Sequence, residues 1–163
     1  MALSADPPPL PPVVAALPPE ASLASLYQEI ILSHYRAPRH KGALDSGIAT
    51  IEHRNPLCGD VLSVQFAVEG SRIADAAFNA RACSITQAAA SMVLDRVIGG
   101  TVADAEDTVS RVERLIETTA PLSAMESHDL GDLRALASVS RFPARKACVR
   151  LVLGAVREAI AAG

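Results

Sequence analysis

Tryptophan is absent from this 163-residue chain, and the aromatic complement is two tyrosines and three phenylalanines. A core with so few rings must be built mainly from Ala, Val, Leu and Ile, which suit closely packed helices. A basic excess is lacking too, with a formal net charge of -3 and a pI near 5.8. Non-specific nucleic-acid binding rests on a basic surface, so nucleic acid is not an expected partner. No stretch reaches the ~18 consecutive apolar residues of a membrane-spanning helix, so no membrane association is expected. Cysteine is scarce: Cys58, Cys83 and Cys148 are separated by 25 and 65 residues. An odd number at such wide spacing does not fit the disulfide framework of a small secreted domain. A reducing, cytoplasmic compartment is the expectation. The length fits one domain with one sizeable core.

Proline is abundant at one end only. Seven of the eleven prolines precede Ala21, in Pro7-Pro8-Pro9-Leu10-Pro11-Pro12 and Pro18-Pro19. Proline fixes φ and lacks an N–H, so residues 1–22 read as a disordered or polyproline tail, or as a docking arm for a proline-binding partner. They do not read as a signal peptide, since no basic segment leads into a continuous apolar core. The folded domain is expected over 23–163.

Within that domain, Ser22 caps a predicted helix from Leu23 to about Arg36, with Leu26, Ile30 and Ile31 on one face. Pro38 ends it. Gly47 to His53 reads as a strand, Asp60 to Val68 alternates with period two, and Ile73 to Ala80 forms a third strand after the turn at Glu69–Arg72. Helices follow over Ser84–Ile98 (stopped by Gly99-Gly100), Asp104–Thr118, Leu130–Ala137 and Lys146–Ala161. Strands first and helices afterwards predict an α+β domain: a three-stranded antiparallel sheet with helices packed on one face.

Each cysteine lies at the end of an element. Cys58 and Asp60 share the loop Asn55-Pro56-Leu57-Cys58-Gly59-Asp60, Cys83 falls where a strand gives way to a helix, and Cys148 is expected in the first turn of the last helix. Helix N-termini, with Arg145 and Lys146 nearby, favour thiolates at Cys83 and Cys148. Three thiols and the Asp60 carboxylate make four donors, the number a tetrahedral metal needs. On spacing alone the metal reading stays open beside that of three space-filling thiols, because the separations match no compact ligand motif.

At these residues the sequence resembles the IscU/NifU-type iron–sulfur assembly proteins, most closely their SufU branch. The resemblance rests on Asn-Pro-x-Cys-Gly-Asp at 55–60, on Cys83 opening a helix, and on Pro-Ala-Arg-x-x-Cys at 143–148. Leu26 to Ile31, His34-Tyr35 and Pro38 to Gly42 extend it. It implies a SufE/NifU-like fold and a ligand set of Cys58, Asp60, Cys83 and Cys148. For the SufU type it implies a Zn2+ site and a carrier that takes persulfide sulfur from a SufS-type cysteine desulfurase, with Cys58 as the acceptor. For the IscU type it implies a scaffold holding iron or a nascent [2Fe–2S] cluster for apo-proteins and other assembly factors. Whether the chain counts as an enzyme depends on that choice: a sulfurtransferase-like carrier in the first case, a non-enzymatic scaffold in the second. A domain with purely structural zinc is the third class. Two departures point to the SufU type: Ala147 stands where IscU-type members carry His, and only Pro143 and Arg145 echo their Leu-Pro-Pro-Val-Lys motif. Leu10-Pro11-Pro12-Val13 matches that motif but lies in the tail. The long gap after Cys83 is also SufU-like, with Gly131 to Ser140 as part of an insertion.

Other polar residues carry weaker readings. Arg145 is a candidate partner for Asp60, and Tyr35, beside Arg36 and Arg39, a candidate docking residue. His34, His40, His53 and His128 lack a ligand-spaced neighbour and read as ordinary histidines. Asp104, Glu106, Asp107 and Glu113 read as a solvated helix face.

Overall fold

A computed structural model describes the backbone of residues 19–163 and the side chains of 23–163. Most of the proline-rich stretch, including Leu10 to Val13, lies outside the described residues. Nine elements follow in order: α1 (Pro19–Arg36), β1 (Ile51–Arg54), β2 (Val61–Glu69), β3 (Arg72–Arg81), α2 (Ser84–Val97), α3 (Val102–Glu117), α4 (Ala124–Leu130), a 3-10 helix (Gly131–Val139) and α5 (Pro143–Ala162).

The strands form one antiparallel sheet in the order β1-β2-β3, with Ile51 opposite Val64 and Val61 opposite Arg81. The period-two pattern sends Leu62, Val64 and Phe66 of β2 inward, where α5 crosses β1 and β2 while α2 packs on β3. This is the α+β arrangement expected from the sequence. Helix α2 is central. Its Ala88, Ala89, Ala90, Val93 and Leu94 are fully buried, and the small side chains let α1, α3 and α5 approach it closely. From α5, Val149, Val152, Leu153 and Val156 complete the core. Burying each Val or Leu contributes roughly 1.5–3 kcal/mol.

Five boundaries differ from expectation, each for a local reason. Helix α1 begins at Pro19, not Leu23, because a proline is tolerated in a first turn whose N–H groups have no helical partner. Its buried stripe is Tyr27, Ile31 and His34, while Leu26 is exposed. Strand β1 starts at Ile51 instead of Gly47. The buried Gln65 draws the preceding chain into a loop: its Oε1 accepts from Leu44 N at 2.8 Å and its Nε2 donates to Ile48 O at 3.0 Å. Helix α3 starts at Val102 behind a capping box in which Thr101 Oγ1 accepts from Asp104 N and Asp104 accepts from Thr101 N. The segment expected as a helix over Leu130–Ala137 is a 3-10 helix, preceded by α4, which the hydrophobic pattern does not mark. Helix α5 starts at Pro143, three residues before the expected Lys146.

A strap from the α1–β1 connection lies along the free edge of β3. Gly42 N donates to Phe78 O at 2.8 Å and Phe78 N to His40 O at 3.0 Å, a parallel bridge between Lys41 and Phe78. Among the described residues no helix is long and apolar enough to cross a membrane.

Candidate metal centre

The three cysteines and Asp60 meet at one end of the molecule, where the loop from β1 to β2, the start of α2 and the start of α5 converge. The loop is folded by its own polar groups. The buried Asn55 accepts Leu57 N on its side chain at 3.0 Å and Gly59 N on its carbonyl at 2.8 Å, and Asn55 N donates to Asp60 O at 2.9 Å. Gly59 sits at φ +75°, a backbone conformation that side-chain-bearing residues enter at a cost, which explains glycine between Cys58 and Asp60. The turn leaves Leu57 91% exposed and Cys58 at the surface.

Asp60 is turned the other way and is buried. Its Oδ1 accepts from Cys83 N at 3.3 Å and its Oδ2 from Thr86 Oγ1 at 2.9 Å. The carboxylate is therefore held by the first residues of α2, where unpaired N–H groups and the helix dipole favour negative charge. Cys83 is the N-cap of α2 and is exposed.

Cys148 corrects an expectation. Because α5 starts at Pro143, Cys148 lies in the second turn, not the first, and is 6% exposed. The dipole of the first turn does not reach it with full effect, and burial dominates. Burial, followed by the contact with the Cys83 thiol, pushes the Cys148 thiol up to about 12. Its Sγ donates to Ala144 O at 3.4 Å.

Cys83 Sγ lies 3.4 Å from Cys148 Sγ, and Cys148 Sγ lies 3.9 Å from Asp60 Oδ2. Ligand atoms of Cys58, Asp60 and Cys148 all lie within 4.8 Å of one another. With zinc–sulfur bonds of about 2.3 Å and zinc–oxygen bonds of about 2.1 Å, the edges of a tetrahedron are about 3.6–3.8 Å. Cys58, Asp60 and Cys148 form the mutually close set, and Cys83 adjoins it through Cys148; soft thiolates with one hard carboxylate suit zinc or iron over calcium or magnesium.

The remaining predicted residues lie outside this cluster. Arg145 stacks over the Phe142 ring, its guanidinium carbon 4.5 Å from the centroid, and forms no ion pair with Asp60 among the described residues. Tyr35 is exposed on α1. His34 is buried between Ser91 and Asp132, His40 binds Asp95, and His53 binds Glu158. His128 is exposed on α4. Of the acidic residues read as a solvated face, Asp104 caps α3, Asp107 pairs with Arg111, and Glu106 and Glu113 pair with Arg157 of α5. Thr86 is the residue that sequence reasoning passed over. Its place three residues after Cys83, on the first turn of the helix, was the available signal.

The profile of the NifU-like N-terminal domain matches residues 26–149. The chain is 36% identical over 141 residues to the zinc-dependent sulfurtransferase SufU of Bacillus subtilis, an alignment covering 86% of this chain and 93% of that one. It is 33% identical over 140 residues to the iron–sulfur cluster assembly scaffold protein IscU of Streptococcus pyogenes, covering 86% of each. The crystal structure of a nitrogen-fixing NifU-like protein (N-terminal) from Brucella abortus shares the fold, with a TM-score of 0.73 at 23% identity over 85% of this chain and 94% of that one.

Proposed function

This chain belongs to the NifU-like N-terminal domain family, and from that premise we propose that it serves iron–sulfur cluster assembly as a zinc-dependent sulfur acceptor. The donor would be the persulfide of a cysteine desulfurase. The observation that carries this reading is the convergence of Cys58, Asp60 and Cys148, with Cys83 beside Cys148 and Cys58 alone on an exposed glycine-containing loop. Those four residues would hold Zn2+, which when bound keeps thiols ionised and has no redox chemistry of its own.

The chain's own residues divide the work. Cys83 and Cys148 are fixed on helices, whereas Cys58 is carried by a turn that can reorient without unpacking the core. The Cys58 thiolate attacks the outer sulfur of the partner's persulfide. A new S–S bond forms on Cys58 while the partner's S–S bond breaks, and the partner's cysteine leaves as a thiolate with that electron pair. No oxidant or reductant is consumed. Asp60, the one oxygen donor, is the weakest match to a thiophilic ion, yet Cys83 N and Thr86 Oγ1 hold it in place, so the exposed Cys58 is the member free to leave. Arg145 remains a proposed partner for Asp60 when the site opens, and Tyr35 a proposed contact for the desulfurase.

The test is alanine production by the desulfurase with and without this protein. Wild-type chain raises the rate and Cys58→Ala does not. No rise with wild type removes the transfer reading. The same four donors, and the match to a scaffold IscU, also favour a second reading, in which a nascent [2Fe–2S] cluster is the cargo. Anaerobic purification separates the two: a brown protein with visible absorption supports the scaffold, a colourless protein with one zinc per chain supports the carrier.

A further inference from the structure

Thr86 is fully buried on the first turn of α2, and its hydroxyl touches two of the four donors. It donates to Asp60 Oδ2 at 2.9 Å and lies 3.5 Å from Cys83 Sγ. Oδ2 is also the oxygen that faces Cys148 Sγ, at 3.9 Å. The other carboxylate oxygen is held by Cys83 N. Rotating the carboxylate away from the sulfurs would break both contacts and strand a buried hydroxyl, which costs about 1–3 kcal/mol.

We infer that Thr86 is a positioning residue for the metal centre: its hydroxyl fixes the Asp60 carboxylate so that one lone pair of Oδ2 is turned toward the cysteines. The inference rests on the metal reading proposed above. The hydroxyl occupies one acceptor site on Oδ2 and leaves another directed at the cluster, because a carboxylate oxygen accepts more than one bond. Serine can make the same contact and valine, of the same shape, cannot. Groups that orient a ligating carboxylate typically change metal affinity by about 10–100-fold when removed.

Zinc affinity of the full chain, measured by competition with a chromophoric chelator, tests this. Thr86→Val binds zinc at least about tenfold more weakly and releases it faster, and Thr86→Ser stays close to wild type. A residue that merely fills space would not act through Asp60. Hence in an Asp60→Ala background, where three thiols remain, adding Thr86→Val causes no further loss. Wild-type affinity in Thr86→Val overturns the inference, as does an equal loss in both backgrounds. Should Thr86→Val alone fail to fold, the comparison within the Asp60→Ala background still decides, since that change removes the buried charge left unpaired. A wild-type chain that takes up no zinc overturns the metal reading and this inference together, whereas zinc-binding wild type with an unaffected Thr86→Val overturns this inference alone.

Discussion

Cys148 is the least accessible of the three thiols, and its protonation follows from where the backbone places it. Folding holds this thiol at about 12 against an ordinary value of 9.0, so metal-free protein carries it protonated at neutral pH. Iodoacetamide at pH 7 is expected to modify the exposed Cys58 and spare Cys148, as mass spectrometry of digested, metal-free protein would check. The sign for stability is equally definite. Below about pH 9 the thiol is protonated in both folded and unfolded chains; between about 9 and 12 only the unfolded chain loses the proton, so this group's contribution to stability falls as pH rises. Urea midpoints of metal-free protein fall as pH rises above about 9, and fall less in Cys148→Ala. Gly59 is a second single-residue test. A Cβ there meets no atom within 4 Å, so Gly59→Ala adds backbone strain without a clash, about 1–2 kcal/mol. A lowered thermal midpoint with altered Cys58 reactivity is the expected outcome. Cys58, Asp60, Cys83 and Cys148 stood out in the sequence because thiols and a motif carboxylate are rare and conspicuous, and the fold brings them near one another. Thr86 did not stand out: its place three residues after Cys83 hints at the helix start, and only the fold shows which carboxylate it faces. Nor was the state of Cys148 legible, because it depended on a helix start misplaced by three residues.

At the scale of elements, the strands and helices with one consistent period were readable and the transitions between them were not. Strand β2 alternates in sequence, with the buried Gln65 as its one exception, and α2 is bounded by Cys83 and the glycine pair, with Gly99 at φ +89°. By contrast, α4 turns little apolar surface to the core. Only Leu130 is buried and Met125 is 82% exposed, so no apolar stripe announces it; its capping box, Ser123 with Glu126, was the one local clue. The most consequential element contact is also polar. His34 of α1 binds Ser91 of α2 and Asp132 of the 3-10 helix, each at 2.8 Å, and Arg39 N donates to the same Ser91 hydroxyl at 2.8 Å. One buried ring thus ties three elements together with every polar atom satisfied. His34→Ala leaves the Ser91 hydroxyl short of a partner and opens a void, and is expected to lower stability by about 2 kcal/mol or more. Chemical denaturation measures that loss, and zinc content of the folded fraction should be unchanged.

For the whole molecule, helices pack over one face of the sheet and the donor cluster sits at one end, where two helix starts meet a strand loop. Among the described residues the core cluster runs from Tyr27 to Ile160. We propose that the leading segment, residues 1–18, is separable from the 23–163 domain. A chain beginning at Pro19 is expected to keep its thermal midpoint within about 2 °C and its zinc stoichiometry, by calorimetry and metal analysis; a drop of about 10 °C, equivalent to roughly 3 kcal/mol for a domain of this size, would show that the segment belongs to the fold. The strap along β3 has a further bearing on how molecules meet one another. A sheet grows into fibrils by recruiting a neighbour's backbone along an open flank. Here one flank is filled by His40 to Gly42 of the same chain, and the other offers a strand of four residues, too short a template for runaway self-assembly at the concentrations a cell maintains.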